Sequence, residues 1–135
     1  MSGKLYVVGT PIGNLEDFSP RAARILGQAD FIAAEDTRVT LKLLNHFEIK
    51  KTLISCHEHN EEQRANEIAE RVRGGEAIAF VSDAGMPGVS DPGSRLVRFF
   101  VENNLPFEVL PGANAVLTAW VMSGLPTESL YFCGF

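Results

Sequence analysis

Short apolar runs alternate with segments of helical pattern along the whole sequence, and this alternation constrains the fold more than any other feature. The apolar runs lie at residues 5–8, 31–34, 52–55, 77–81 and 107–110. Several are continuous, as in strands that are covered on both faces of a sheet. Strands that alternate with helices are typical of parallel sheets. The sequence therefore predicts an α/β fold: a five-stranded, mainly parallel sheet flanked by helices.

Capping residues and apolar spacing place the intervening helices. They are predicted at residues 20–27, 37–46, 60–73, 91–103 and 113–123. In the second helix, Leu41, Leu44 and Phe47 are expected on the side that faces the core. In the third, Glu61 and Glu62 open the first turn, where acidic side chains suit the positive end of the helix dipole.

Composition and charge exclude several classes of protein. The 135 residues fit one domain, and 17 acidic against 12 basic residues give a formal net charge of −5. This balance argues against broad nucleic-acid binding by the chain alone, since phosphate neutralisation needs cations. Cys56 and Cys133 are too few for a disulfide framework. With no signal-peptide pattern and no apolar run long enough for a membrane span, we expect a cytoplasmic protein.

The last residues suggest that a second unit begins within this sequence. Residues 130–135, LYFCGF, have the pattern of a strand with no partner element after it. We therefore predict an amino-terminal domain at residues 1–123, followed at 124–135 by a linker and the first strand of a truncated second domain. The alternative is a short final strand added to the same sheet.

Glycine- and proline-rich loops follow three of the predicted strands. They lie at residues 9–14, 82–93 and 111–115. None has the glycine spacing of a dinucleotide fingerprint or of a phosphate-binding P-loop. Parallel strands end at one edge of a sheet, where ligands bind, so the loops together predict a cleft there. Taken singly, each loop could be a plain turn, with Asp91 acting only as a helix cap.

Charged residues on the same edge are candidates for chemistry. Glu35 and Asp36 follow the second strand, and Asp83 opens the long loop after the fourth. They could act on a substrate, or simply cap helices and form ion pairs. His57 and His59 could share a metal in an extended segment, but a solvated loop is the favoured interpretation. We predict no metal site.

The loop sequences resemble those of the tetrapyrrole-methylase superfamily. The matching motifs are VGTPIGNLED at residues 8–17, AEDTR at 34–38, SDAGMPGVSDPGSR at 82–95 and LPGANA at 110–115. They occur in order over nearly the whole chain. Within the superfamily they are most similar to the branch that methylates ribosomal RNA, since the wider superfamily often has Gly-Asp-Pro where this chain has Gly85-Met86-Pro87.

The resemblance implies a methyltransferase that uses S-adenosyl-L-methionine, bound between two domains of which this chain is the first. The implied reaction is 2′-O-methylation of a cytidine in the decoding region of 16S rRNA, with the rRNA or the small ribosomal subunit as partner and a homodimer as the assembly. The implied cofactor-binding residues are Gly9, Pro11, Ile12, Ala84, Gly85, Met86, Val89, Ser90, Asn114 and Ala115. Glu35, Asp36 and Asp83 are the candidate catalytic residues, unless the base lies in the second domain.

Other functions stay open at this point. One is methyl transfer to a small tetrapyrrole or to a protein side chain, and another is a non-catalytic α/β ligand-binding module. The acidic balance is in tension with an RNA substrate, which calls for a basic face. A local basic patch is expected from Arg21, Arg24, Arg38, Lys42, Lys50 and Lys51.

Overall fold

The structure, a computed structural model, describes residues 3–89, 93–126 and 128–134. Strands and helices alternate through this part of the chain. In chain order they are β1 (Lys4–Val8), α1 (Pro20–Gln28), β2 (Phe31–Ala34), α2 (Thr37–His46), β3 (Leu53–Ser55), α3 (Glu61–Arg73), β4 (Ala77–Val81), α4 (Ser94–Glu102), β5 (Phe107–Leu110) and α5 (Ala115–Ser123), with a short 3₁₀ turn at Leu15–Asp17.

The strands of the described residues form one five-stranded sheet in the order β3-β2-β4-β1-β5. All four neighbouring pairs are parallel. Every residue of β2 and of β4 is buried, as the continuous apolar runs predicted for strands with both faces covered. The predicted α/β fold is confirmed, and the carboxyl ends of all five strands meet at one edge.

Two apolar layers cover the two faces of the sheet. On one face, α1 and α2 pack through residues such as Leu26 and Leu44. On the other, α3 and α4 pack through Ile68, Leu96 and Phe100. Each fully buried side chain of this size contributes about 1.5–3 kcal/mol of transfer free energy, so the two layers fix the sheet and its loop-bearing edge as one rigid support.

Local capping chemistry explains where the helices begin. The Ser19 hydroxyl accepts a hydrogen bond from the Ala22 N–H at 3.0 Å, and Pro20 occupies the first helical position. The first helix continues through Gln28, beyond the predicted end at Gly27. The fifth begins at Ala115, two residues after the predicted start, because the Asn114 side chain caps it.

Other predicted bounds shift by small amounts or cannot be compared. The third strand starts at Leu53, one residue after its predicted start. The fourth helix begins at Ser94. Asp91 and Pro92, which were expected to start it, lie outside the described residues. Leu41, expected to face the core, is 48% exposed, because Thr40 occupies the core position beside Leu43 and Leu44.

Beyond α5 the described chain carries no helix or strand. Gly124 ends α5 with a left-handed backbone, and residues 128–134 have no regular structure. A strand forms only beside a partner strand, so the second domain predicted to begin here stays a prediction. Within residues 3–89, 93–126 and 128–134, no helix is both long enough and apolar enough to span a membrane.

Candidate functional site

The loops after β1 and β4 are joined at the carboxyl edge of the sheet. The Thr10 N–H donates to the Gly85 carbonyl at 3.0 Å, and the Gly85 N–H donates back to the Thr10 carbonyl at 3.0 Å. Thr10 is 3% exposed. This two-residue bridge fixes the position of the long loop relative to the first loop.

The loops after β1 and β5 approach each other too closely for side chains. A Cβ placed on Gly9 would lie 2.9 Å from the Gly112 Cα and 2.8 Å from the Met86 sulfur. A Cβ on Gly112 would likewise lie 2.9 Å from the Gly9 Cα. Backbone contact at these distances requires glycine. Three motif-bearing loops, which are far apart in the sequence, therefore meet at one place.

Gly85, in the long loop, has a backbone conformation that favours glycine. Its φ of +78° lies in the region that side chains rarely adopt. A Cβ at this position would lie 3.4 Å from the Ile12 Cγ2 and 3.6 Å from the Ala113 carbonyl oxygen. Ile12 and Ala113 thus lie against Gly85, and the Ile12 side chain is 37% exposed.

The remaining predicted cofactor residues belong to the same three loops and to the start of α5. Pro11 and Met86 are half-buried, Ala84 is exposed, and Val89 is 51% exposed. Asn114 caps α5, its Oδ1 accepting from the Leu117 N–H at 3.0 Å, and Ala115 begins the helix. Ser90 lies outside the described residues.

The three candidate catalytic carboxylates lie together where β2 and β4 end. The Asp83 Oδ1 accepts from the Asp36 N–H at 3.0 Å, and the Asp83 N–H donates to Glu35 Oε2 at 3.4 Å. Asp36 also caps α2 and is paired with Arg38. The hydrogen bond from the Arg38 guanidinium lowers the pKa of Asp36.

A cleft of about 280 Å³ opens between the first loop and α2. Pro11, Asn14 and Leu15 line it from the first loop, Val39 and Lys42 line it from α2, and Asp83 lines it from the long loop. The walls are mainly apolar, and Lys42 and Asp83 contribute the charges. Ile12 is not among the described residues that line this cleft, and its side chain lies close to Gly85.

A second, larger cleft of about 380 Å³ lies at the start of α3. Glu58, His59 and Arg95 are among its lining residues. Beside it, the His59 N–H donates to His57 Nδ1 at 3.2 Å, and the two rings are 5.8 Å apart. Among the described residues, no group of three or more His, Cys, Asp or Glu side chains is arranged to hold a metal ion.

Sequence reasoning missed one residue that supports the site. Glu61 is 4% exposed, and its Oε1 accepts from the backbone N–H groups of Gly93, Arg95 and Leu96 at 2.8, 3.1 and 3.1 Å. A carboxylate from α3 thus caps α4 and holds the end of the long loop. In the sequence, Glu61 is only a glutamate in the first turn of α3. The dipole of that helix is enough to explain an acidic residue at this position.

The sequence was compared with models of known protein families. The sequence model of the tetrapyrrole (corrin/porphyrin) methylases matches residues 4–131. The chain belongs to this family. The resemblance indicated by the loop motifs is therefore confirmed, and the matched range includes the loops that meet at the sheet edge.

Relatives named ribosomal RNA small subunit methyltransferase I are similar over almost the whole chain. The protein of that name from Halalkalibacterium halodurans is 55% identical over 133 residues, which are 98% of this chain and 46% of the relative. The one from Bacillus subtilis is 50% identical over 133 residues, again 98% of this chain and 46% of the relative. The chain thus spans about half the length of these curated relatives.

Several solved structures share the fold. Uroporphyrin-III C-methyltransferase from Thermus thermophilus superposes with a TM-score of 0.68 and 26% identity, covering 92% of this chain and 53% of that one. Another structure of that enzyme, complexed with S-adenosyl homocysteine, gives a TM-score of 0.66 and 25% identity, with 92% and 52% covered. Diphthine synthase, at a TM-score of 0.67 and 17% identity, shows the common fold alone.

Proposed function

We propose that this chain is the amino-terminal half of an S-adenosyl-L-methionine-dependent ribosomal RNA methyltransferase. The observation that carries the proposal is the meeting of the loops after β1, β4 and β5 around Gly9, Gly85 and Gly112. The relatives at 46–55% identity, all with the same rRNA methyltransferase name, support the substrate class. The proposed reaction is 2′-O-methylation of a cytidine ribose in the decoding region of 16S rRNA.

The residues present fit the proposed cofactor chemically. Residues 9–15, 82–89 and 111–115 contain no Lys or Arg, so these loops suit a cation better than a phosphate group. Gly9 and Gly85 let the three loops approach one another closely, and the Ile12 side chain, 37% exposed, offers an apolar surface beside Gly85. The residues proposed to hold the cofactor are Gly9, Pro11, Ile12, Ala84, Gly85, Met86, Val89, Ser90, Asn114 and Ala115.

S-adenosyl-L-methionine supplies an electrophilic methyl group on a positively charged sulfur. The ribose oxygen forms the new C–O bond as the C–S bond breaks, so the reactants must be in line, and positioning is worth up to about 7–11 kcal/mol in favourable cases. The ribose hydroxyl proton needs an acceptor. Glu35, Asp36 and Asp83 are the proposed candidates in this chain, and the Arg38 guanidinium lowers the pKa of Asp36.

Calorimetric titration with S-adenosyl-L-methionine tests the proposal. We expect clear binding by the full-length protein and weak or undetectable binding by the 135-residue chain, since half of the cleft is proposed to come from the second domain. Gly85→Val should abolish binding by the full-length protein with the fold retained, whereas Gly27→Val, on the exposed side of α1, should leave it unchanged. Full-length protein that does not bind the cofactor would refute the proposal.

Transfer of labelled methyl groups identifies the substrate. Small ribosomal subunits, naked 16S rRNA and a uroporphyrinogen are offered to the full-length protein in parallel. Label in the ribose of one cytidine supports the proposal, and label in the tetrapyrrole alone contradicts it. Asp83→Ala and Glu35→Gln should lower kcat by about 10²–10⁴ for the residue that serves as the base, with cofactor affinity retained.

We propose in addition that the full-length protein forms a homodimer, as the resemblance implies. The apolar, uncovered helix α5 supports the presence of a covering surface from the second domain or from a second copy. Sedimentation of the full-length protein tests the dimer, and a monomeric mass at micromolar concentration would contradict it.

A further inference from the structure

The cleft between the first loop and α2 lies beside the motif-bearing loops. Pro11 and Leu15 of the first loop line the cleft, whereas the Ile12 side chain of the same loop lies close to Gly85. Asp83, at the start of the long loop, also lines the cleft. The first loop thus contributes residues both to the cleft and to the contact with Gly85.

In-line methyl transfer requires this kind of arrangement. The acceptor oxygen must approach the methyl group from the side opposite to the sulfur, so the acceptor needs a site adjacent to the cofactor site but distinct from it. A cleft of about 280 Å³ is at the lower end of the range for small-ligand sites, about 300–1,000 Å³. It suits one nucleotide better than a larger ligand.

The walls of the cleft match the parts of an unpaired nucleotide. Leu15 is 41% exposed and Val39 is 39% exposed, so both offer apolar surface that a base can cover. Lys42 lies one helical turn after Val39 on the same side of α2, and within the described part of the chain it makes no ion pair. Its ammonium group is therefore available to a phosphate.

We infer that this cleft is the acceptor subsite, which takes one flipped-out or single-stranded nucleotide of the RNA. The base lies between Leu15 and Val39, Lys42 pairs with an adjacent phosphate, and the ribose hydroxyl is directed toward Asp83. Recognition of unstacked nucleotides in this way is the usual mode for RNA. The inference rests on the proposed function, since it assigns a subsite of the same reaction.

Lys42→Ala and Val39→Ala in the full-length protein test the subsite. Methyl transfer to small ribosomal subunits is measured at several salt concentrations, and S-adenosyl-L-methionine affinity is measured by calorimetry. We expect each change to lower kcat/KM for the subunit about threefold to tenfold with cofactor affinity unchanged. Lys42→Ala should also reduce the slope of log(kcat/KM) against log[salt] by about 0.7–0.9, the contribution of one phosphate contact, whereas Val39→Ala should leave the slope unchanged.

Arg98→Ala and Val101→Ala are the matched controls. Both residues are exposed on α4, which packs on the opposite face of the sheet, and the two changes remove the same charge and the same apolar surface. They should leave kcat/KM and its salt dependence unchanged. Equal effects in the controls, or normal kcat/KM in Lys42→Ala and Val39→Ala, would overturn the inference.

Two further outcomes separate this inference from the proposed function. Weaker cofactor binding in both cleft variants would overturn the inference by assigning the cleft to the cofactor, while methyl transfer by the unsubstituted protein would still support the function. Unsubstituted protein that neither binds the cofactor nor methylates the subunit would refute the proposed function, and the acceptor subsite with it.

Discussion

Glu61, in the first turn of α3, stabilises the end of the long loop and the start of α4. One carboxylate oxygen accepts three backbone N–H groups, at the last residue of that loop and in the first turn of α4. These amides have no partner within their own helix, because the first turn of a helix leaves its donors unpaired. Removing the carboxylate would leave buried donors without an acceptor.

Glu61→Ala should therefore lower the free energy of unfolding by about 2–4 kcal/mol. Glu61→Gln keeps an oxygen at the same position and loses only the charge, so we expect a smaller loss of about 1 kcal/mol. Denaturant unfolding of the 135-residue chain measures both. Glu62→Ala is the control, since Glu62 is exposed in the same turn. Similar values for Glu61→Ala and Glu62→Ala would show that the three hydrogen bonds contribute little.

The two cysteines should differ in reactivity. Burial, with a smaller contribution from the Glu61 charge, raises the pKa of the Cys56 thiol to about 12, whereas Cys133 is exposed. At pH 8 a thiol-reactive disulfide should label Cys133 within minutes and Cys56 only after unfolding. The raised pKa also makes stability fall as the pH rises from about 9 to about 12, because the unfolded chain ionises first. Rapid labelling of both cysteines in native protein would contradict the buried position.

At the scale of elements, two glycines isolate the backbone contribution to stability. Gly27 lies in α1 and Gly75 follows α3, and a Cβ at either position meets no atom within 4 Å. Gly27→Ala should raise the free energy of unfolding by about 0.5–1 kcal/mol, because alanine favours the helix. Gly75→Ala should lower it by about 1–2 kcal/mol, because its φ is +97°. Thermal and denaturant unfolding measure both changes, and equal signs would contradict the conformational argument.

The elements also show which features of the fold can be predicted from sequence. β2, β4 and β5 have their predicted bounds, since each is an apolar run between turn residues. The prediction for Leu41 was wrong because Thr40 occupies the core position of α2 instead. Hydrophobicity alone does not indicate that a threonine is buried there. Glu61 was missed because its partners lie 32–35 residues further along the chain, and only the packing of α3 beside α4 brings them together.

The same distinction holds for the candidate site. Strand-end position placed the motif loops on one edge, as the Thr10–Gly85 bridge confirms. The close approach of Gly9 and Gly112 requires β1 and β5 to be neighbours in the sheet. Local sequence does not determine the order of the strands. The path of the first loop likewise decides that Leu15 lines the cleft beside α2 while Ile12 lies close to Gly85, and local sequence does not determine that path.

At the scale of the whole molecule, α5 is apolar but uncovered. None of its residues is buried, and Val121 and Met122 are 74% and 82% exposed. A helix that is apolar on all sides is normally buried. The proposed second domain and the proposed dimer partner are the two surfaces that could cover it. Substitutions in α5 should therefore affect this chain alone and the full-length protein differently.

The double substitution Val121→Lys with Met122→Lys should have opposite consequences in the two contexts. In the 135-residue chain it should reduce binding of a hydrophobic dye and leave the melting temperature unchanged, because both side chains are largely exposed among the described residues. In the full-length protein it should lower the melting temperature or convert dimer to monomer, because two charges would enter a covered apolar surface at a cost of several kcal/mol. Val101→Lys, on the exposed side of α4, controls for added charge. Full-length protein with unchanged mass and melting temperature would mean that α5 stays exposed, and that neither proposed surface covers it.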